Sequence, residues 1–253
     1  MRLRAIALAL RDLRLRAIAL ALRDLRLRAI ALALRDLKLE LLKPAGWNSQ
    51  TAIILAHGAG QGMKSPFMTY FNRELPSRGF LSVTFDFEYM EAQRRVPDPQ
   101  PKLQARYRSV VEAVAAHHRP KRLIIGGKSM GGRVASYIAG DTPQVSALLF
   151  LGYPLHPPGK PDQLRDQHLY KLKMPMLFIS GTKDAFAEKA LLERTVRKIG
   201  KNAELVWIEG GDHSLKRKKD DVESMTIALD AIVEWAGRIP ALHKNTQSEI
   251  PEL

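Results

Sequence analysis

The 253-residue chain contains no cysteine. Disulfides, thiolate metal sites and a cysteine nucleophile are therefore excluded. Aromatic residues are sparse, at 7%. No apolar run approaches the roughly 18 residues that a membrane span requires. Acidic residues are outnumbered, 26 against 40 Lys and Arg, which leaves a formal charge of +14. Taken alone, such a charge suggests a polyanionic partner, but its distribution argues otherwise. The remaining composition, 45% hydrophobic and 26% charged, is that of a globular domain and excludes a mostly disordered or fibrous chain.

Much of the basic excess lies in a repeat. Residues 2–13 read RLRAIALALRDL, and residues 14–25 and 26–37 repeat the same twelve letters. With three Arg and one Asp in each copy, the block supplies +6 of the +14. Twelve residues advance a helix by three turns plus about 120°, so successive copies point their apolar residues in different directions. In a strand, an even period keeps the faces aligned. Residues 1–37 are expected to be a poorly ordered or strand-like extension outside the core. The six-residue stretch AIALAL is shorter than a secretory apolar region, and each copy has an Asp and no Ser, unlike a transit peptide.

Beyond the repeat, short apolar runs alternate with helical patterns. The runs are 51–57, 81–87, 122–127, 146–153, 176–181 and 203–210. Most are nearly continuous, as in strands buried on both faces. Helical spacing covers 102–118, 130–139, 187–199 and 220–235, and a short or kinked helix is expected after Pro66, because Pro76 interrupts it. The alternation predicts an α/β fold, a doubly wound, mainly parallel sheet with helices on both faces, spanning 38–240. Residues 38–44 are a candidate antiparallel edge strand. The polar tail 241–253 is expected to fray. Ligands of such sheets bind beyond the carboxyl ends of the strands.

One strand end carries the sequence Gly127-Lys128-Ser129-Met130-Gly131, a G-x-S-x-G motif between an apolar strand and a helix. In that setting the serine sits on a strained turn with an exposed hydroxyl. The competing phosphate-loop pattern fails, because Arg122 stands where its first glycine belongs. A serine nucleophile needs a base, and the base an orienting acid, in the chain order Ser, Asp or Glu, His. Asp184 follows the fifth run and His213 follows the sixth, so both fall at the same sheet edge as Ser129. Asp212 adjoins His213 and is read as a turn residue, and Asp86 is a weaker alternative acid. The first run ends in HGAGQG, which suits an oxyanion hole built from the backbone N–H groups of Met130 and Ala59. His57 is read as orienting that loop.

The stretch from Tyr153 to Pro175 is too short for a large helical cap. The segment 89–101 is expected to border the site, with Arg94 and Arg95 as candidate substrate-binding residues for an anionic acyl group. Lys216–Lys219 reads as charge at a helix start, and no aromatic platform for nucleic acid accompanies it.

The stretches LAHGAG, SPFM, FDFEYME, GGKSMGGRVAS, LGYPLHPPGKP, LRDQHL and GDHS, within about 51–240, resemble the α/β-hydrolase-like domain shared by testis-expressed protein 30 and the third subunit of the NSL chromatin complex, with bacterial relatives. The repeat has no counterpart in that resemblance. It implies similarity to small serine esterases, while some members of the group serve as scaffolds. The expected protein is a cytoplasmic serine hydrolase acting on a small-molecule ester or related acyl bond, without metal or organic cofactor. The alternative is a catalytically silent interaction module on the same fold. No nucleic-acid partner is expected.

Overall fold

The computed structural model describes residues 37–48 and 50–241, together with Arg14, Arg16, Ala17, Ile18 and Ala21 of the repeat. Those five positions are helical, not extended, and their side chains are exposed. The rest of the repeat before Leu37, and the tail from residue 242, lie outside the described residues. Leu37, the last residue of the repeat, is buried against the core.

Among the described residues, seven strands form one sheet: β1 (Leu39–Leu42), β2 (Thr51–Ala56), β3 (Leu81–Phe85), β4 (Arg122–Lys128), β5 (Ala147–Leu151), β6 (Met176–Gly181) and β7 (Ala203–Ile208). Their spatial order is β1-β3-β2-β4-β5-β6-β7. All neighbours are parallel except β1, which pairs antiparallel with β3 at the edge. The helices are α1 (Pro66–Ser77), α2 (Glu88–Glu91), α3 (Gln100–His118), α4 (Met130–Ile138), α5 (Lys189–Ile199) and α6 (Val222–Arg238).

The period of two divides the central strands between two cores. In β2, Ala52, Ile54 and Ala56 belong to the core that includes α3 and α4, while Ile53 and Leu55 belong to the core that includes α1 and α6. β4 repeats the division with Leu123 and Ile125 on one side and Ile124 on the other. Each large apolar side chain so buried contributes about 1.5–3 kcal/mol before entropy is counted. The α6 stripe of Met225, Ala228, Leu229, Ile232 and Trp235 seals the second core. Local signals set the helix ends. Ser65 caps α1 by accepting Met68 N–H, and Asp221 caps α6 by accepting Ser224 N–H. Pro76 falls in the last turn of α1, so it terminates the helix instead of kinking it.

Strand β4 is the axis of the site. Ala56 of β2 lies so close to it that a Cβ on Gly127, where φ is +145°, would sit 2.1 Å from the Ala56 carbonyl oxygen. On the same strand the buried Tyr107 hydroxyl accepts Gly126 N–H at 2.9 Å and donates toward Gly126 O at 2.6 Å. These contacts leave no room for a side chain at Gly126 or Gly127.

Gly127→Ala is expected to lower stability by at least about 3 kcal/mol, from steric overlap and a disfavoured φ together, as read from a urea-unfolding curve. Deletion of residues 2–36, which keeps the buried Leu37, is expected to shift the melting temperature by only about 2 °C. A drop several times larger in differential scanning calorimetry would assign the repeat to the core.

Candidate active site

Ser129 stands between the end of β4 and the first residue of α4 with φ +50° and ψ −115°. Non-glycine residues rarely adopt that conformation, and it costs about 1–3 kcal/mol. The turn points the Ser129 side chain out of the sheet edge, and Ser129 N–H is held by Leu151 O at 3.1 Å. Met130 is the first residue of α4, so its N–H has no partner within the helix.

Asp184 and His213 reach Ser129 because the loops after β6 and β7 touch. A Cβ on Gly181 would lie 2.1 Å from Gly211 O, so only glycine permits this approach. Lys183 N–H then bonds Gly211 O at 2.8 Å. His213 Nε2 lies 2.8 Å from Ser129 Oγ. Its Nδ1 lies 2.8 and 2.9 Å from the two carboxylate oxygens of Asp184. A carboxylate only accepts, so Nδ1 carries the proton and Nε2 is left to accept from the serine hydroxyl. The Asp184 side chain is fully buried, and Phe186 N–H donates to its Oδ1 at 2.8 Å. The Phe186 ring lies 4.3 Å from the imidazole.

The rival groups are occupied elsewhere. Asp212 Oδ1 accepts Ser214 and Lys216 N–H, a turn role. Asp86 Oδ1 accepts Met63 N–H at 2.7 Å. His57 donates from Nδ1 to Gly58 O at 2.7 Å and accepts Phe87 N–H at Nε2. Burial lowers its pKa and keeps it neutral. His57, Asp86 and the Tyr89 hydroxyl, which accepts Gly60 N–H at 3.0 Å, fasten the loop that carries Ala59.

Ala59, Ser129 and Met130 line one open cavity of about 320 Å³, with Pro97, Asp98 and Phe186 among its other walls. The segment 89–101 thus borders the site, but Arg94 and Arg95 are not among the lining residues. Arg94 Nη2 instead bonds Asp98 Oδ1 at 2.6 Å, and Arg95 is exposed. Between β5 and β6, among the described residues, the only helical element is a 3-10 turn at Leu169–Lys171, so no cap rises there. Among the described residues, no helix is long and apolar enough to cross a membrane.

Sequence reasoning passed over Lys128. Its side chain is buried, its Nζ donates to the His213 carbonyl oxygen, and it lies 5.4 Å from the Phe67 ring centre. A charged residue ending an otherwise apolar strand is the signal that marks it. Burial pushes its pKa down to about 8, against the opposing pull of Asp184 and Asp212.

Residues 49–239 match the family model described as alpha/beta hydrolase domain. The chain belongs to that alpha/beta hydrolase family. Solved structures of the same fold include an alpha-beta serine hydrolase homologue from Coxiella burnetii, with TM-score 0.63, 19% identity, and 78% of this chain and 89% of that one covered. An α/β serine hydrolase without a lid from Xanthomonas campestris gives TM-score 0.62 at 21% identity, covering 80% of this chain and 90% of that one. A dienelactone hydrolase from Anabaena variabilis gives TM-score 0.62 at 21% identity, covering 81% and 92%.

The Lys128 environment has a measurable consequence for this hydrolase domain. The unfolded chain keeps the lysine proton up to about 10.5. Between about 8 and 10.5 the unfolded state therefore binds one more proton than the folded state, and stability rises with pH. Relative to Lys128→Met, the wild-type protein is expected to gain on the order of 3 kcal/mol across that window. Paired urea titrations at several pH values read the difference.

Proposed function

We propose that the protein is a cytoplasmic serine hydrolase that cleaves a small-molecule ester or related acyl bond through an acyl-enzyme. The observation that carries this reading is the bridge made by His213 between Ser129 Oγ and Asp184. Ser129 attacks the acyl carbonyl as His213 Nε2 takes its proton. Asp184 holds the imidazole in the tautomer that leaves Nε2 free and stabilises the imidazolium that forms. Met130 and Ala59 N–H groups receive the developing oxyanion. His213 then returns the proton to the leaving group, and water, activated the same way, releases the acid. Arg94 supports the cavity wall by anchoring Asp98.

Family membership and structural neighbours that are serine hydrolases support this reading, and the neighbour without a lid suits an uncapped site. The finer kinship with the group of testis-expressed protein 30 and the NSL subunit rests on the shared sequence stretches, chiefly GGKSMGGRVAS and LGYPLHPPGKP.

A fluorophosphonate probe tests the nucleophile. Wild-type protein is expected to label, and Ser129→Ala to remain unlabelled with a melting temperature within a few degrees of wild type. His213→Ala is expected to be as severe. Asp184→Asn is expected to lower turnover on the order of 10⁴-fold, because the imidazole then takes the wrong tautomer. Combined variants should lose little more than the worst single one. Absence of labelling in the folded wild-type protein would leave the silent interaction module as the reading.

A further inference from the structure

The cavity beside Ser129 holds two arginines that the reaction above does not use. Arg133 lies on the first turns of α4, four residues after Ser129, and Arg165 lies in the loop after β5. Both are half-buried, and a guanidinium that has lost part of its hydration is ordinarily matched by a carboxylate. Here, among the described residues, neither guanidinium makes an ion pair or a hydrogen bond, and Arg133 Nε is buried without any partner. Arg165 is anchored only by its backbone, with N–H on Leu155 O at 2.8 Å and its carbonyl accepting the Tyr153 hydroxyl at 2.8 Å.

The nearby acids do not neutralise this pair. Asp98 also lines the cavity, but its Oδ1 is taken by Arg94, and Lys102 Nζ stands 3.8 Å from Oδ2. Asp166, next to Arg165 in the chain, is turned toward the hydroxyls of Tyr170 and Thr195. His168 bonds Ser136 Oγ and is held neutral by burial, so it adds no charge of its own. Arg165 has a lowered proton affinity, first from burial and then from the positive charge of Arg133. Two like charges thus belong to the small cavity that Ser129 also lines.

We infer that this cavity is an acyl site for a carboxylate-bearing acid, with Arg133 and Arg165 holding the distal carboxylate while the ester carbonyl lies at Ser129. The inference rests on Ser129 being the nucleophile. Planar guanidinium groups match a carboxylate in both shape and charge. Ser129, Arg133 and Arg165 line one cavity of about 320 Å³, which limits the acid to a short one. The substrate class is therefore the monoester of a short dicarboxylic acid. Hydrolysis breaks the acyl C–O bond, adds water across it, and leaves the distal carboxylate unchanged.

Two activated esters test this: the p-nitrophenyl monoester of glutaric acid and its neutral counterpart, p-nitrophenyl methyl glutarate. Wild-type kcat/KM is expected to favour the anionic ester by about 10-fold or more. That ratio is expected to fall about 10- to 100-fold in Arg133→Gln and in Arg165→Gln, and to shrink with added salt. Melting curves and fluorophosphonate labelling of each variant report folding and the nucleophile separately, and Arg165→Gln leaves α4 untouched. A wild-type ratio near one, or a ratio unchanged in both variants, would overturn the acyl site while leaving the hydrolase reading intact. Labelled protein that turns over neither ester would also overturn it. Folded protein that neither labels nor hydrolyses would remove the nucleophile itself, and this inference with it.

Discussion

The structure depends on one backbone conformation, the left-handed φ of Ser129. It costs about 1–3 kcal/mol, so the surroundings must over-determine it. They do so by close approach. Gly127 lets the Ala56 carbonyl reach the chain just before the turn. Leu151 O holds Ser129 N–H, and α4 begins at once with Met130. The same turn that strains the backbone frees the Met130 N–H and exposes the hydroxyl. Strain and chemistry thus share one cause.

A second constraint is electrostatic. A fully buried Asp184 carboxylate has a high desolvation cost unless bonded on most sides. Phe186 N–H and His213 Nδ1–H meet it directly. Lys128, buried one residue before Ser129, lies near enough for Asp184 to raise its proton affinity. Its Nζ holds the His213 carbonyl, which ties the loop after β7 to the strand that carries Ser129. His213 is thereby positioned from its backbone as well as from its ring.

The sheet was legible because two-sided burial leaves unbroken apolar runs, and the strand bounds differ from those runs by a few residues at most. The run 81–87 is the instructive case. It reads on through Asp86 to Phe87, yet β3 stops at Phe85, and the Asp86 side chain accepts Met63 N–H instead. That Ser129, Asp184 and His213 meet was legible because parallel strands deliver their following residues to one edge. The cavity charges were not. Arg94 and Arg95 stand out as a pair, but the Asp98 four residues on already marks Arg94 for an ion pair. Arg133 looks like a helix surface residue, and its unpartnered state is visible only when the loop carrying Arg165 folds against α4.

The absence of a helical cap between β5 and β6 shifts the burden of selectivity. A lid excludes water and selects substrate as it closes, whereas an open cavity must select with groups already in place. Apolar walls discriminate weakly, by about 1–3 kcal/mol per methylene. Fixed charges that have lost part of their hydration discriminate more strongly, because a neutral ligand leaves them unpaired. Paired guanidinium groups beside Ser129 supply such a device without moving parts, and their field extends into solvent, where it attracts an anion before contact. The recognition is then exposed to screening, so an uncapped site of this kind ties its selectivity to ionic strength in a way that a closing lid does not.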